Sequence, residues 1–211
     1  MDVFCIHLPH RTDRMVNIQK LQRFYPSLNI HVVDAIQHER GLTGCLLSHQ
    51  KIVRMAKEQG RPYVWVIEDD CKLLPGNGAL VSYANKVAKY LAENPGVGIV
   101  NGCGNLGEFK IDTIQAMGDM FFMTAPQVWA THCVFYSQSC YENFLALDAE
   151  DGAIVIDTET NKLNLAFTFP FLATQVTSFS DIAKKDVNYD NIILSRNYVA
   201  HVLREKKLYK E

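Results

Sequence analysis

Few of the usual assigning marks occur in this chain. Its 211 residues contain no apolar run approaching the length of a membrane span, so any membrane role would be a peripheral contact. The N-terminal run Val3-Phe4-Cys5-Ile6-His7-Leu8 is too short for a secretory core and reads as a first strand. No charge of one sign dominates. The net charge is −2, which argues against a broad basic face for nucleic acid. Six cysteines stand at positions 5, 45, 71, 103, 133 and 140, with no C-x-x-C pair and no dense framework. Reduced, structural thiols in a cytoplasmic setting are the expectation. H-E-x-x-H, G-x-S-x-G and P-loop patterns are missing, so the zincin, serine-hydrolase and Walker readings lack their parts. No internal repeat, low-complexity tract or long linker divides the chain.

What is present is the composition of one globular α/β domain, with 48% hydrophobic and 21% charged residues. Strands are predicted at Val3–Leu8, Ile30–Val33 (ending in Asp34), Tyr63–Ile67 and Val97–Val100. Helices alternate with them. The first follows a Thr12 N-cap with Met15, Ile18 and Leu21 on one face. The second runs from Gly41 and Gly44 to Gly60, with Cys45, His49, Ile52, Val53 and Ala56 on one stripe. The third carries Leu80, Val87 and Leu91. This alternation predicts a mostly parallel, doubly wound sheet. Beyond residue 101 the rhythm changes to hairpin-like pieces at 109–123, a strand near Cys133–Tyr136, a helix at 138–147, a strand at Leu165–Phe169 and a terminal helix over 189–207.

The most informative segment is Tyr63-Val64-Trp65-Val66-Ile67 running into Glu68-Asp69-Asp70. An apolar strand that stops at three acids delivers charge to the rim of a sheet, where open α/β folds bind ligands. In an extended chain Glu68 and Asp70 point the same way, an arrangement suited to a hard divalent cation on a diphosphate. Taken alone, the cluster reads equally as a solvated acidic turn. Arg11 and Arg14, just past the first strand, are either surface charge or partners for a phosphate. His49 is either a packing residue or the group that orients a carboxylate. His132 is a weakly supported metal ligand. Asp151 and Asp157 flank Ala153-Ile154-Val155-Ile156, and either is a turn or cap residue or a general base. Gly102-Cys103-Gly104-Asn105-Leu106-Gly107 matches G-x-G-x-x-G, yet no helical period follows it, so a turn is the better reading.

The order of the pieces resembles glycosyltransferase family 25, the group of lipooligosaccharide galactosyltransferases and collagen β-galactosyltransferases. The resemblance is carried by His7-Leu8-Pro9-His10-Arg11-Thr12-Asp13-Arg14, by Gly41-Leu42-Thr43-Gly44-Cys45-Leu46-Leu47-Ser48-His49, and by the Glu68-Asp69-Asp70 strand end about twenty residues later. Thr131–Ser137, Asp157, Pro170…Gln175 and Ser180-Asp181-Ile182 extend it more loosely. His7 stands where the family has Asn, and Ala35-Ile36-Gln37-His38 where it has A-x-D-G. The resemblance implies a single GT-A-like domain, with a nucleotide-binding half over 1–104 and an acceptor half with a C-terminal helix over 105–211. It implies transfer of galactose or glucose from a UDP-sugar to a glycan or hydroxylated acceptor, with inversion. Mn²⁺ or Mg²⁺ would be held by Glu68 and Asp70, and Asp157 would be the base. Arg11, Arg14, Asp34, Ser48, His49 and Asp69 would surround the donor, Asp69 facing away from its neighbours toward sugar or ribose. A catalytically silent module that binds nucleotide sugars or glycans is the alternative from another class, and a phosphohydrolase acting on nucleotide sugars is a third.

Overall fold

The computed structural model describes residues 1–151, 154–182 and 184–209, so Ala153, in the apolar stretch before Asp157, lies outside the described residues. The order of elements is β1 (Asp2–His7), α1 (Thr12–Phe24), β2 (Asn29–Asp34), α2 (Gly41–Glu58), β3 (Tyr63–Glu68), β4 (Cys71–Leu73), α3 (Asn77–Glu93) and β5 (Ile99–Asn101). Next come β6 (Asn105–Leu106), β7 (Thr113–Met117), β8 (Met120–Thr124), β9 (Val128–Trp129), β10 (Cys133–Ser137) and α4 (Tyr141–Leu145). The chain then forms α5 (Ile156–Asn161), β11 (Leu165–Phe169), β12 (Ala173–Gln175), β13 (Ser178–Ser180), β14 (Lys185–Val187) and α6 (Asp190–Glu205). The mixed α/β fold with a mostly parallel sheet expected from the sequence is the one found. No described helix is long and apolar enough to cross a membrane.

Eight strands form the central sheet in the order β2-β1-β3-β10-β5-β11-β8-β7. β1 pairs parallel with β2 and β3, and β5 with β11, while β10 runs antiparallel between β3 and β5. The alternation of strands and helices did not predict that insertion. Its physical reason lies in β10 itself, Cys133-Val134-Phe135-Tyr136-Ser137, which is buried at every position and so needs neighbours on both edges and cover on both faces. Phe135 pairs with Trp65 across β3, the two rings stacked with centroids 4.7 Å apart. Such a cross-strand aromatic pair contributes about 0.5–1.5 kcal/mol beyond its burial.

The period of two along each strand divides the interior into two cores. Phe4, Ile6, Val64, Val66, Val134 and Tyr136 pack on the face covered by α2, α4 and α6. Val3, Cys5, Trp65, Ile67, Cys133 and Phe135 pack on the face covered by α1 and α3. At the start of α1 the expectation is corrected. Arg11 occupies the cap position, makes no side-chain cap bond, and Thr12 is already helical. The acid that favours this end is Asp13, in the first turn beside the positive pole of the helix.

The G-x-G-x-x-G segment opens no helix. Its glycines are needed because side chains press on the backbone: a Cβ on Gly104 would lie 2.7 Å from Cδ2 of the buried Phe167 ring. Gly104→Ala should therefore destabilise the fold by about 1–3 kcal/mol, as overpacked sites do. Gly78→Ala, in α3 with nothing within 4 Å of the added methyl, should be neutral or stabilising by up to about 1 kcal/mol. Urea-denaturation midpoints of the two variants check the contrast.

Candidate functional site

The strand alternation that builds the two cores also aims the acids. Glu68 follows Val64 and Val66 and faces α2. His7 follows Val3 and Cys5 and faces α1. Beyond Glu68 the chain leaves the strand in a turn, Asp69-Asp70, before β4 begins at Cys71. Asn17 of α1 fixes that turn by donating its side-chain amide to the carbonyls of Asp69 at 2.8 Å and Cys71 at 2.9 Å. A cleft of about 640 Å³ opens beyond the carboxyl ends of β1 and β3, and Glu68, Asp69 and Asp70 all line it.

Asp69 is 4% exposed, and both of its oxygens are engaged. Arg14 donates to one at 2.7 Å, and His7 Nδ1 lies 2.9 Å from the other. Arg14 also stands 3.3 Å from Asp70 and donates to the carbonyl of Phe179 at 3.0 Å. Arg11 turns away from the cleft into internal bonds. It grips Asp13 with two donors, at 2.9 and 2.7 Å, donates to the Phe179 carbonyl at 3.1 Å, and pairs with Asp181. Both arginines therefore anchor the β13–β14 hairpin to the start of α1. Two motifs about 170 residues apart, the arginine-bearing turn and Ser180-Asp181-Ile182, are in direct contact.

The acids that remain differ in charge state. Burial alone would raise Glu68. The His49 ring and the Thr131 hydroxyl at 3.0 Å outweigh it and hold Glu68 below the usual carboxylate range. Asp70 is pushed up to about 7, first by burial and then by the charge of Glu68, against the pull of Arg14. Gln175 of β12 approaches its other oxygen at 3.4 Å. Asp157, in the first turn of α5, lines the same cleft and is pushed up to about 6 by burial and by Glu68. The backbone N–H of Ala130 opposes that shift by bonding the Asp157 carboxylate. Ala130 is held at φ 76°, a conformation that costs a non-glycine residue of order 1–3 kcal/mol and concentrates at functional sites. Its carbonyl accepts the Asn101 side chain at 2.6 Å, which fixes the strained turn.

Other predicted positions fall at varied places. Ser48 lines the cleft but uses its hydroxyl inside, donating to the Gly44 carbonyl at 2.6 Å and accepting from the Ile36 N–H at 2.8 Å. These bonds press the 35–38 loop onto α2, at a point where a Cβ on Gly44 would meet the Ile36 carbonyl at 2.7 Å. His49 is fully buried, with Nδ1 2.9 Å from the Tyr136 hydroxyl and Nε2 3.5 Å from Glu68. Asp34 is exposed at the end of β2 and lies outside the cleft lining. Asp151 is exposed as well. His132 is buried away from the cleft with Nε2 3.5 Å from the Cys103 sulfur, and burial lowers it to about 4, so it is neutral. Asn17 carries no local signal in the sequence, while Thr131, Tyr136 and Gln175 stand there only within the looser motifs Thr131–Ser137 and Pro170…Gln175; each becomes a site residue through contacts distant in sequence.

The fold is similar to that of A197 from STIV, with a TM-score of 0.51 and 12% identity over 88% of this chain and 92% of that one. Weaker likenesses are to a glycosyltransferase involved in the glycosylation of the major capsid of PBCV-1 and to mannose-1-phosphate geranyltransferase from Thermus thermophilus. The first has a TM-score of 0.41 at 13% identity over 68% of this chain and 62% of that one. The second has a TM-score of 0.43 at 12% identity over 79% and 72%. No protein-family model and no curated protein matches the chain. What the comparisons establish is the fold, and the likeness to family 25 is carried by the motifs alone.

Proposed function

We propose that the protein is a GT-A glycosyltransferase that moves a hexose, galactose or glucose, from a UDP-sugar to a glycan or hydroxylated acceptor, with inversion. One observation carries this reading. Arg14, the Cys45…Ser48-His49 stripe, the Glu68-Asp69-Asp70 turn and Asp157 are scattered over the chain, yet they line one cleft at the carboxyl edge of parallel strands. Its volume of about 640 Å³ is in the range of small-molecule sites. Trp129, 43% exposed on the rim, offers an apolar ring with a polar edge to a sugar face.

The residues fit a hard cation. Glu68 and Asp70 supply oxygen donors, and the rise of Asp70 under burial and the charge of Glu68 marks a pair short of positive charge. Glu68 and Asp70 would hold Mn²⁺ or Mg²⁺, which when bound would neutralise charge on the departing diphosphate. Asp69, neutralised from the α1 side, would hold the turn in place. Asp157 would take the proton of the acceptor hydroxyl as its oxygen bonds to the anomeric carbon and the bond to UDP breaks. The silent binding module has one observation in its favour: both arginines are committed to internal partners, which leaves phosphate binding to the cation and backbone.

Free UDP should appear when the protein is incubated with UDP-galactose or UDP-glucose, Mn²⁺ and acceptor glycans. Asp70→Asn should lower turnover by about 10²–10³-fold, in the range for lost charge stabilisation. Turnover undiminished by that substitution or by chelation would sink the metal assignment. UDP-sugar binding in calorimetry with no UDP released would favour the silent module.

The base works only when ionised, and Asp157 titrates near 6. The rate at saturating substrate should therefore climb about tenfold per pH unit below that value and level off above it. Asp157→Asn should cost about 10²–10⁴-fold and abolish this limb. An unchanged pH profile in the variant would remove Asp157 from the role.

A further inference from the structure

On the α2 side of the cleft, Cys45, His49 and Glu68 bring three different metal-binding atoms together: a sulfur, an imidazole nitrogen and a carboxylate oxygen, all within 4.8 Å of one another. Cys45 and His49 are four residues apart on α2 and so lie one above the other on a single helix face. Glu68 comes to meet them because it shares the strand face of Val64 and Val66. All three line the cleft. Asp70 and Asp157 stand outside this trio, although they line the same cavity.

A second, independent observation points to a ligand. His49 is fully buried, and its Nε2 has no hydrogen-bond partner among the described residues. It faces Glu68 at 3.5 Å, an ion-pair distance that is longer than a well-formed hydrogen bond. A buried imidazole nitrogen whose nearest partner stands this far off is incompletely satisfied, and a cation held between the ring and the carboxylate would answer both. The 3.5 Å separation is close to the nitrogen–oxygen edge of a tetrahedral zinc site, about 3.3–3.4 Å for bonds of about 2.0–2.1 Å. The other ring nitrogen is already fixed by the Tyr136 hydroxyl at 2.9 Å, as is usual for a metal-bound histidine.

We propose that Cys45 Sγ, His49 Nε2 and Glu68 form a three-ligand site for a borderline divalent metal of the zinc class, with its fourth position open to the cleft. Softness decides the metal. A thiolate and an imidazole select Zn²⁺ over Mg²⁺ or Mn²⁺, which favour oxygen donors. Three protein ligands with an open fourth position are the arrangement of catalytic rather than structural zinc. The site stands on its own ligands whether or not the chain transfers sugars. Glu68 is the point at which it meets the carboxylate pair proposed for the harder cation.

The test is optical titration of the full chain, stripped with chelator under reducing conditions, first with Co²⁺ and then with Zn²⁺. Stoichiometric Co²⁺ should give intense visible bands of low-coordinate cobalt and a near-ultraviolet thiolate charge-transfer band, both erased by Zn²⁺. Cys45→Ala should lose the thiolate band, and Asp70→Asn should keep it. Tyr136→Phe should keep the bands but weaken Co²⁺ binding by about 10–100-fold, as loss of an outer partner does. In the unaltered protein Zn²⁺ should protect Cys45 from alkylation, read by peptide mass spectrometry, and this arm needs no variant to fold. A missing thiolate band, its persistence in folded Cys45→Ala, or alkylation of Cys45 at the same rate with and without Zn²⁺ each overturns the proposal. Mn²⁺-dependent UDP release is read separately, so failure of one assignment is distinguishable from failure of the other.

Discussion

Asp69 receives Arg14 on one carboxylate oxygen at 2.7 Å and His7 on the other at 2.9 Å, and the acidic turn rests on that pairing. A carboxylate with 4% exposure carries a desolvation penalty of several kcal/mol that only close partners offset. Because Asp69 is satisfied from the α1 side, Glu68 and Asp70 can be presented to the cleft without a third free charge beside them. The same arginine reaches the Phe179 carbonyl, so neutralising the turn also tethers the β13–β14 hairpin beside the cleft. His7, which departs from the asparagine of the family pattern, has a plain physical use here as a partner of Asp69.

The two sheet faces divide the chemistry. The α1 face supplies Arg14, His7 and Asn17, which hold the turn rigid. The α2 face supplies Cys45 and His49, which approach Glu68 as ligand-type groups. Strain is stored opposite them, at Ala130, whose positive φ directs its N–H to the Asp157 carboxylate while Asn101 holds its carbonyl. Asp157 and Asp70 are both raised by burial and by Glu68, and Glu68 itself is held ionised by neighbours from β10's approach and from α2. The charge of one strand residue thereby adds to the burial that raises two others, one far from it in sequence and one bent away in a turn.

Much of the frame was legible. β1, α1, β2, α2, β3 and α3 follow from apolar periods of 2 and 3.6 broken by proline and glycine, signals that are local and strong. The acidic strand end was visible as well, since an apolar run stopping at three carboxylates is a local pattern, although the pattern alone reads equally as a solvated turn. The placement of β10 between β3 and β5 was not legible, because an all-apolar strand of five residues specifies burial but not its neighbours. Arg11 and Arg14 read as phosphate partners because sequence shows charge without showing what answers it. Asp181, which answers Arg11, and the Phe179 carbonyl, which accepts from both, come from the other end of the chain, and Asp69, which answers Arg14, from 55 residues away.

The sequence by itself determined the α/β class, the sites of most elements, and the fact that acids, two arginines and a cysteine–histidine pair sit at sheet-rim or helix-face positions. Those properties depend on residues within one or two turns of each other. Only the tertiary structure decided which acid is neutralised, which is ionised and which is held near neutrality, because charge state depends on burial and on partners brought from distant segments. It also decided that Cys45, His49 and Glu68 meet. Helix spacing puts the first two on one face, but only the parity of β3 and the packing of α2 against it bring the carboxylate to them.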